Sequence, residues 1–205
     1  MNEPRSSVPI EVYIDYICPF CYVGNARLQR IAQRYPVTIQ YRFVEIHPDN
    51  PPQGRPLSEL GYPPEQWRRM MDNLNAMVSQ EGLPMGERTF TTNSRKALLL
   101  AQATLDERPV AFPALNEALF QAYFTEGRNI GEEAVLRELA QHHGIEDLLT
   151  PAWETALYRQ RLLEHVEAAQ QIGLTGVPTV VVADQPFAGA VSMETLEEAL
   201  RRQGL

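Results

Sequence analysis

Apolar residues along this chain keep two different rhythms, and the change between them divides it. From Pro9 to Tyr16, Ile10, Val12 and Ile14 alternate with Tyr13 on the opposite side, the period of a strand with one face in a core. Cys21, Gly24, Leu28, Ile31 and Tyr35 then recur every three or four residues, one stripe of a helix from about Pro19 to Tyr35 that Pro36 ends. Val37 to Val44, rich in β-branched and aromatic residues, reads as a second strand, so the first part predicts a right-handed βαβ unit. Far downstream, Thr179 to Val182 is almost wholly apolar and suits a strand buried on both faces. A turn signal at Asp184-Gln185-Pro186 precedes a weaker strand around Phe187 to Ala190, and Ser192 caps a last helix carrying Leu196, Ala199 and Leu200.

Between these ends, Glu65 to Ile172 is helical in pattern nearly throughout. Asn93 or Ser94 opens one helix, Pro113 suits the first turn of another, and Asn129 precedes a third. Thr150-Pro151 opens the longest, which runs to Gly173. The proline-rich loop from Pro48 to Pro64 is the clearest boundary. The expected architecture is α/β: β-α-β, a large all-helical insertion, then β-β-α around a central sheet. Residues 1–62 and 173–205 would form one discontinuous unit and 63–172 the insertion.

Composition narrows the function classes. With 205 residues, 44% apolar and 21% charged, the chain is long enough for a real core and too apolar for a disordered one. A net charge of −8 argues against a nucleic-acid face or a polybasic membrane patch. No apolar run is long enough to span a bilayer, and the first residues lack the apolar core of a secretory signal, so a cytoplasmic protein is expected.

Two cysteines are too few for a disulfide framework, but their placement carries chemistry. Cys18-Pro19-Phe20-Cys21 stands where the first strand gives way to the first helix. Pro19 fits the first helical turn, which puts Cys18 beside unpaired N–H groups that favour a thiolate. Cys21 follows one turn later on the same side, about 5–6 Å away by Cβ spacing, near enough to bridge. The first thiol is expected to be exposed and to attack; the second is expected to be shielded and to resolve a mixed disulfide. No third cysteine exists for a zinc site, and His47, His142, His143 and His165 lack companion spacing, so no metal is expected. A CxxC pair in a βαβ unit points to redox work.

A second motif, Thr175-Gly176-Val177-Pro178-Thr179, leads into the buried strand. A cis Pro178 would pack beside the sulfurs and turn the Val177 backbone outward as an edge for substrate; a proline that merely starts a strand is the other reading.

Together with Tyr22-Val23-Gly24, the Glu45-Ile46-His47-Pro48-Asp49 turn, Asn93-Ser94 and Gly189-Ala190, these motifs resemble the DsbA family of thioredoxin-fold proteins, and within it the FrnE-like branch. The resemblance implies a thioredoxin fold interrupted by helices. It also implies Cys18 as nucleophile, Cys21 as resolving thiol and Pro178 as the cis-proline, with Val177, Pro19, Phe20 and Thr179 about the substrate. The function so implied is a thiol-disulfide oxidoreductase that reduces, isomerises or forms disulfides in protein or small-molecule substrates. It would bind no cofactor, take glutathione as a candidate redox partner, and act as a monomer or homodimer. One alternative is a glutathione-dependent isomerase or transferase, of the 2-hydroxychromene-2-carboxylate isomerase or kappa-class type. Those relatives typically carry Ser at the position matching Cys18. A redox-inert client-binding module is a further alternative. Phe20 departs from the more usual Trp or His between the cysteines and brings no cation.

Other residues admit two readings each. Asp15 either assists proton transfer to Cys21 or caps local backbone. Met70, Met71, Met77 and Met85, with Trp67, are either core packing or an adaptable client surface. His142 and His143 close a helix, where cationic His would complement the dipole. His47 lies in the loop after the second strand, a candidate neighbour of the site.

Overall fold

A computed structural model describes residues 7–205, so the first six residues of the 1–62 segment lie outside it. Strands β1 (Val8–Ile14) and β2 (Val37–Phe43) pair in parallel through helix α1 (Pro19–Arg34), from Val8 opposite Val37 to Ile14 opposite Phe43. Strand β5 (Thr179–Val182) runs antiparallel on the other side of β1, and β6 (Gln185–Ala188) closes the sheet in the order β2-β1-β5-β6. The central strand is buried on both sides. Ile10, Val12 and Ile14 face the main core, while Tyr13 packs with Ala169 and Val181 in a smaller one.

Between β2 and β5 come α2 (Pro64–Glu81), α3 (Arg95–Glu107), α4 (Phe112–Phe124), α5 (Glu133–His142), α6 (Leu149–Glu154) and α7 (Ala156–Gln171); α8 (Met193–Arg201) follows the sheet. The middle of α3, from Ala97 to Thr104, is buried all round. One continuous core joins Ile10, Val12 and Phe43 of the sheet to Leu98 and Leu100 of α3 and Phe120 and Phe124 of α4. The helices therefore pack as part of the sheet's own core. Among the described residues, no helix is long and apolar enough to cross a membrane.

Four details depart from the sequence pattern. The 63–172 segment is not all-helical: its β4 (Phe90–Thr91) pairs with β3 (Arg55–Pro56) of the 1–62 segment, a ladder too short to leave a period-two signal. The long helix expected from Thr150 breaks at Thr155, whose extended backbone (φ −81°, ψ 155°) separates α6 from α7. Its hydroxyl donates to Pro151 O at 2.7 Å, giving the backbone a local alternative to helix. The hairpin turn is Ala183-Asp184, both at positive φ, so Gln185 and Pro186 belong to β6. Pro186 is tolerated there because β6 is an edge strand. Finally, burial, and then His142, lower the tendency of His143 to take a proton, which works against the cationic role expected of it at this helix end.

Two buried polar groups of contacts fix α1 in place. Tyr41 Oη donates to Asn25 Oδ1 at 3.0 Å, Asn116 Nδ2 donates to the same oxygen at 2.9 Å, and Tyr16 Oη donates to Asn116 Oδ1 at 2.8 Å. Farther along α1, Arg27 Nε meets Glu81 Oε1 at 2.7 Å and Arg27 Nη1 meets Ala190 O at 2.8 Å, while Arg30 pairs with the other oxygen of Glu81. Glu81 thus clamps the end of α2 onto α1. On the far side, His165 Nδ1 of α7 accepts the outward N–H of Phe43 at 2.9 Å, covering the free edge of β2.

Candidate active site

Cys18 is the residue on which α1 starts. Its backbone is extended (φ −84°, ψ 116°), and Pro19 occupies the first turn, where a missing N–H costs nothing. The Cys18 carbonyl accepts from the Cys21 and Tyr22 amides at 3.0 and 3.3 Å, and its own N–H donates to Asp15 O at 3.1 Å. Both cysteines are free thiols. Cys18 Sγ donates to Val177 O at 3.4 Å, and the Val177–Pro178 peptide is cis. The Pro178 ring lies against α1 at Gly24, where an added Cβ would come within 3.3 Å of Pro178 Cγ. A glycine in α1 is what lets the loop before β5 approach the sulfurs so closely.

The Cys18 thiol is less open than its position at a helix start suggests. Cys18 is only 5% exposed, because it forms the floor of a cleft of about 420 Å³ rather than a surface bump. Pro19 and Phe20 flank it, residues 175–177 form one wall, and Trp67, Met70 and Met71 of α2 form the wall opposite. Those three side chains sit at helical spacing and face the cleft, whereas Met85 packs against the main core. His47 lies at the rim; burial, and then the nearby Arg55, lower its tendency to take a proton. Thr179 is not brought to the cleft: it is buried, and its hydroxyl donates to Gly176 O at 2.7 Å. A wider groove of about 650 Å³ between α4 and α5 carries no thiol, and its Arg128 pairs with Glu126 and Glu138.

Behind Cys18, Cys21 is completely buried, and burial pushes its thiol well above the ordinary range; contact with Cys18 adds to the rise. Asp15, also completely buried, is its acidic neighbour. Burial raises the Asp15 carboxyl to about 6, against the pull of hydrogen bonds from the Ile46 amide (2.8 Å) and the Ile17 amide (3.3 Å). Asp15 therefore caps backbone and faces Cys21 at once. The Asp15 charge adds to what disfavours ionisation of Cys21, and a carboxyl raised to about 6 can exchange a proton close to neutral pH.

Several site residues had no readable signal in the sequence. Of Asn93 and Ser94, either of which was expected to open α3, Asn93 Oδ1 accepts from the Arg95 amide at 3.0 Å, while the buried Ser94 makes no side-chain cap and lies near Asp15. Arg88 reaches the cleft from the loop before β4. The crowding of Trp67 and the methionines was visible in the sequence; that Trp67, Met70 and Met71 line the cleft over Cys18 was not.

A dithiol at the start of the first helix of a βαβ unit, faced by a proline loop and interrupted by helices, defines a thioredoxin-type protein with a helical insertion. Residues 9–201 match the family model of the DSBA-like thioredoxin domain, and the chain belongs to that family. It is 26% identical over 198 residues to the uncharacterized protein YwbO of Bacillus subtilis, covering 95% of this chain and 96% of that one. It is similar to the crystal structure of the probable DsbA oxidoreductase SCO1869 from Streptomyces coelicolor, with a TM-score of 0.82, 25% identity, and 95% and 89% of the two chains covered. It also resembles the 2-hydroxychromene-2-carboxylate isomerase of Pseudomonas putida, 23% identical over 212 residues and 94% of each chain.

Proposed function

We propose that this protein is a thiol-disulfide oxidoreductase in which Cys18 attacks and Cys21 resolves. The observation that carries the reading is the pair of free thiols one helical turn apart, the first on the floor of a cleft and the second buried behind it beside Asp15. In the reductive direction the Cys18 thiolate attacks one sulfur of a substrate disulfide. A Cys18–substrate disulfide forms and the other substrate sulfur leaves as a thiolate. Cys21 gives its proton toward Asp15 and attacks the Cys18 sulfur, forming the Cys18–Cys21 disulfide and releasing the second substrate thiolate. The substrate is reduced by two electrons and the protein oxidised by two; a thiol such as glutathione then returns it to the dithiol. Val177 O, which Cys18 Sγ meets in the free protein, is the backbone edge offered to an extended substrate, with Pro19 and Phe20 beside it. We place the protein in the cytoplasm, where a reducing thiol pool makes reductase or isomerase action the favoured direction.

A second reading, a glutathione-dependent isomerase, is favoured by the likeness to the Pseudomonas putida enzyme. Insulin-disulfide reduction with glutathione as reductant separates the two. The Cys18→Ser variant should lose it, and Cys21→Ser should accumulate a mixed disulfide at Cys18 detectable by mass spectrometry. Vigorous 2-hydroxychromene-2-carboxylate isomerisation by Cys18→Ser, with no disulfide reduction by the unmodified chain, would transfer the assignment to the isomerase.

A further inference from the structure

The chain carries a net charge of −8, yet no Asp or Glu lines the cleft over Cys18. Its strongest charge is Arg88, half-buried in the loop that leads into β4. The guanidinium carbon stands 5.0 Å from the centre of the Phe124 ring, with the Tyr123 phenol beside it. Its Nε is buried without a hydrogen-bond partner, and among the described residues no carboxylate lies within ion-pair distance. Cys18 is within electrostatic reach of it. A cation withdrawn from water without a counter-ion is costly, and a planar fork on an aromatic face is suited to receive a carboxylate from a ligand.

We propose that Arg88 selects the substrate: the cleft takes disulfides that carry a carboxylate close to the reacting sulfur, held by the guanidinium while Trp67, Met70 and Met71 cover the apolar remainder. The nature of the reacting bond rests on the disulfide-exchange reading above; the anion preference rests on the cleft itself. Arg88 would be a specificity residue, and its effect must depend on the charge of the reagent. A residue that only supported the Cys18 thiolate would speed every reagent alike.

The test uses the full-length reduced protein and two alkylating agents of similar size, anionic iodoacetate and neutral iodoacetamide, with modification of Cys18 followed by mass spectrometry. Thiolate reactivity divides out of the ratio of the two rates. That ratio should fall about tenfold in Arg88→Gln and largely recover in Arg88→Lys. High salt should lower it in the unmodified chain, which carries the same test without any substitution. Reduction of dithiodipropionate relative to hydroxyethyl disulfide should shift in parallel. Equal slowing of both alkylating agents in Arg88→Gln, or a ratio indifferent to salt, overturns the proposal. An Arg88-dependent alkylation ratio with neither disulfide reduced would sustain the anion site and remove the redox reading. Reduction of both disulfides at charge-independent rates would do the opposite.

Discussion

Replacing Asp15 with Asn should make the protein more stable at alkaline pH, against the usual effect of altering a fully buried, hydrogen-bonded residue. Burial raises the carboxyl from 3.8 to about 6. At about 1.4 kcal/mol per pH unit, holding it ionised inside the fold costs about 3 kcal/mol relative to the unfolded chain. The amide carries no charge, but its single oxygen cannot accept from both Ile17 and Ile46, which returns about 1–2 kcal/mol of that gain. The net expectation at pH 8 is about 1–2 kcal/mol of added stability. The sign follows from a native pKa above the unfolded one: the carboxyl's favourable contribution is complete below pH 3.8 and is lost as pH rises through about 6. The advantage of Asp15→Asn should therefore shrink on acidification and reverse at about pH 5. Urea unfolding of both reduced proteins across this range measures it, and the difference between them cancels every other titrating group. A variant less stable at pH 8, or a pH-independent difference, would refute the assignment of burial as the dominant cause. The same variant should slow resolution of the Cys18 mixed disulfide if Asp15 takes the Cys21 proton.

Other substitutions probe the scaffold that holds the cleft. Glu81→Ala leaves the buried Arg27 without its carboxylate and should cost about 3 kcal/mol, read by urea unfolding, with faster amide exchange in α2 than in α3. His165, pushed down to about 4 chiefly by burial, stabilises the fold fully above its unfolded value of 6.5. That contribution, about 3 kcal/mol, is lost as pH falls toward 4, and His165→Gln should flatten this part of the stability profile. Gly131→Ala would place a Cβ 2.1 Å from Thr92 Oγ1 and 2.6 Å from Pro52 O, and backbone cannot yield as a side chain can. A loss of about 1–3 kcal/mol by thermal or urea unfolding is expected; an unchanged midpoint would contradict the packing described.

Local chemistry was enough to locate the cysteine pair in the sequence. A proline at the first helical position, a cysteine before it and another a turn later constrain one another through helix geometry alone, whatever surrounds them. The βαβ unit, the buried strand after Pro178 and the helical character of the middle also follow from periodicity, since burial on one face or both dictates where apolar residues recur. Two-residue strands and the break at Thr155 left no such trace, because each is decided by a few hydrogen bonds. What surrounds Cys18 was settled only in three dimensions. Helix α2 returns over α1, pinned by Glu81, and roofs a thiol that its helix-start position alone would leave open. Asp15 and Arg88 take their character from burial, which depends on segments dozens of residues away, and no spacing along the chain records it.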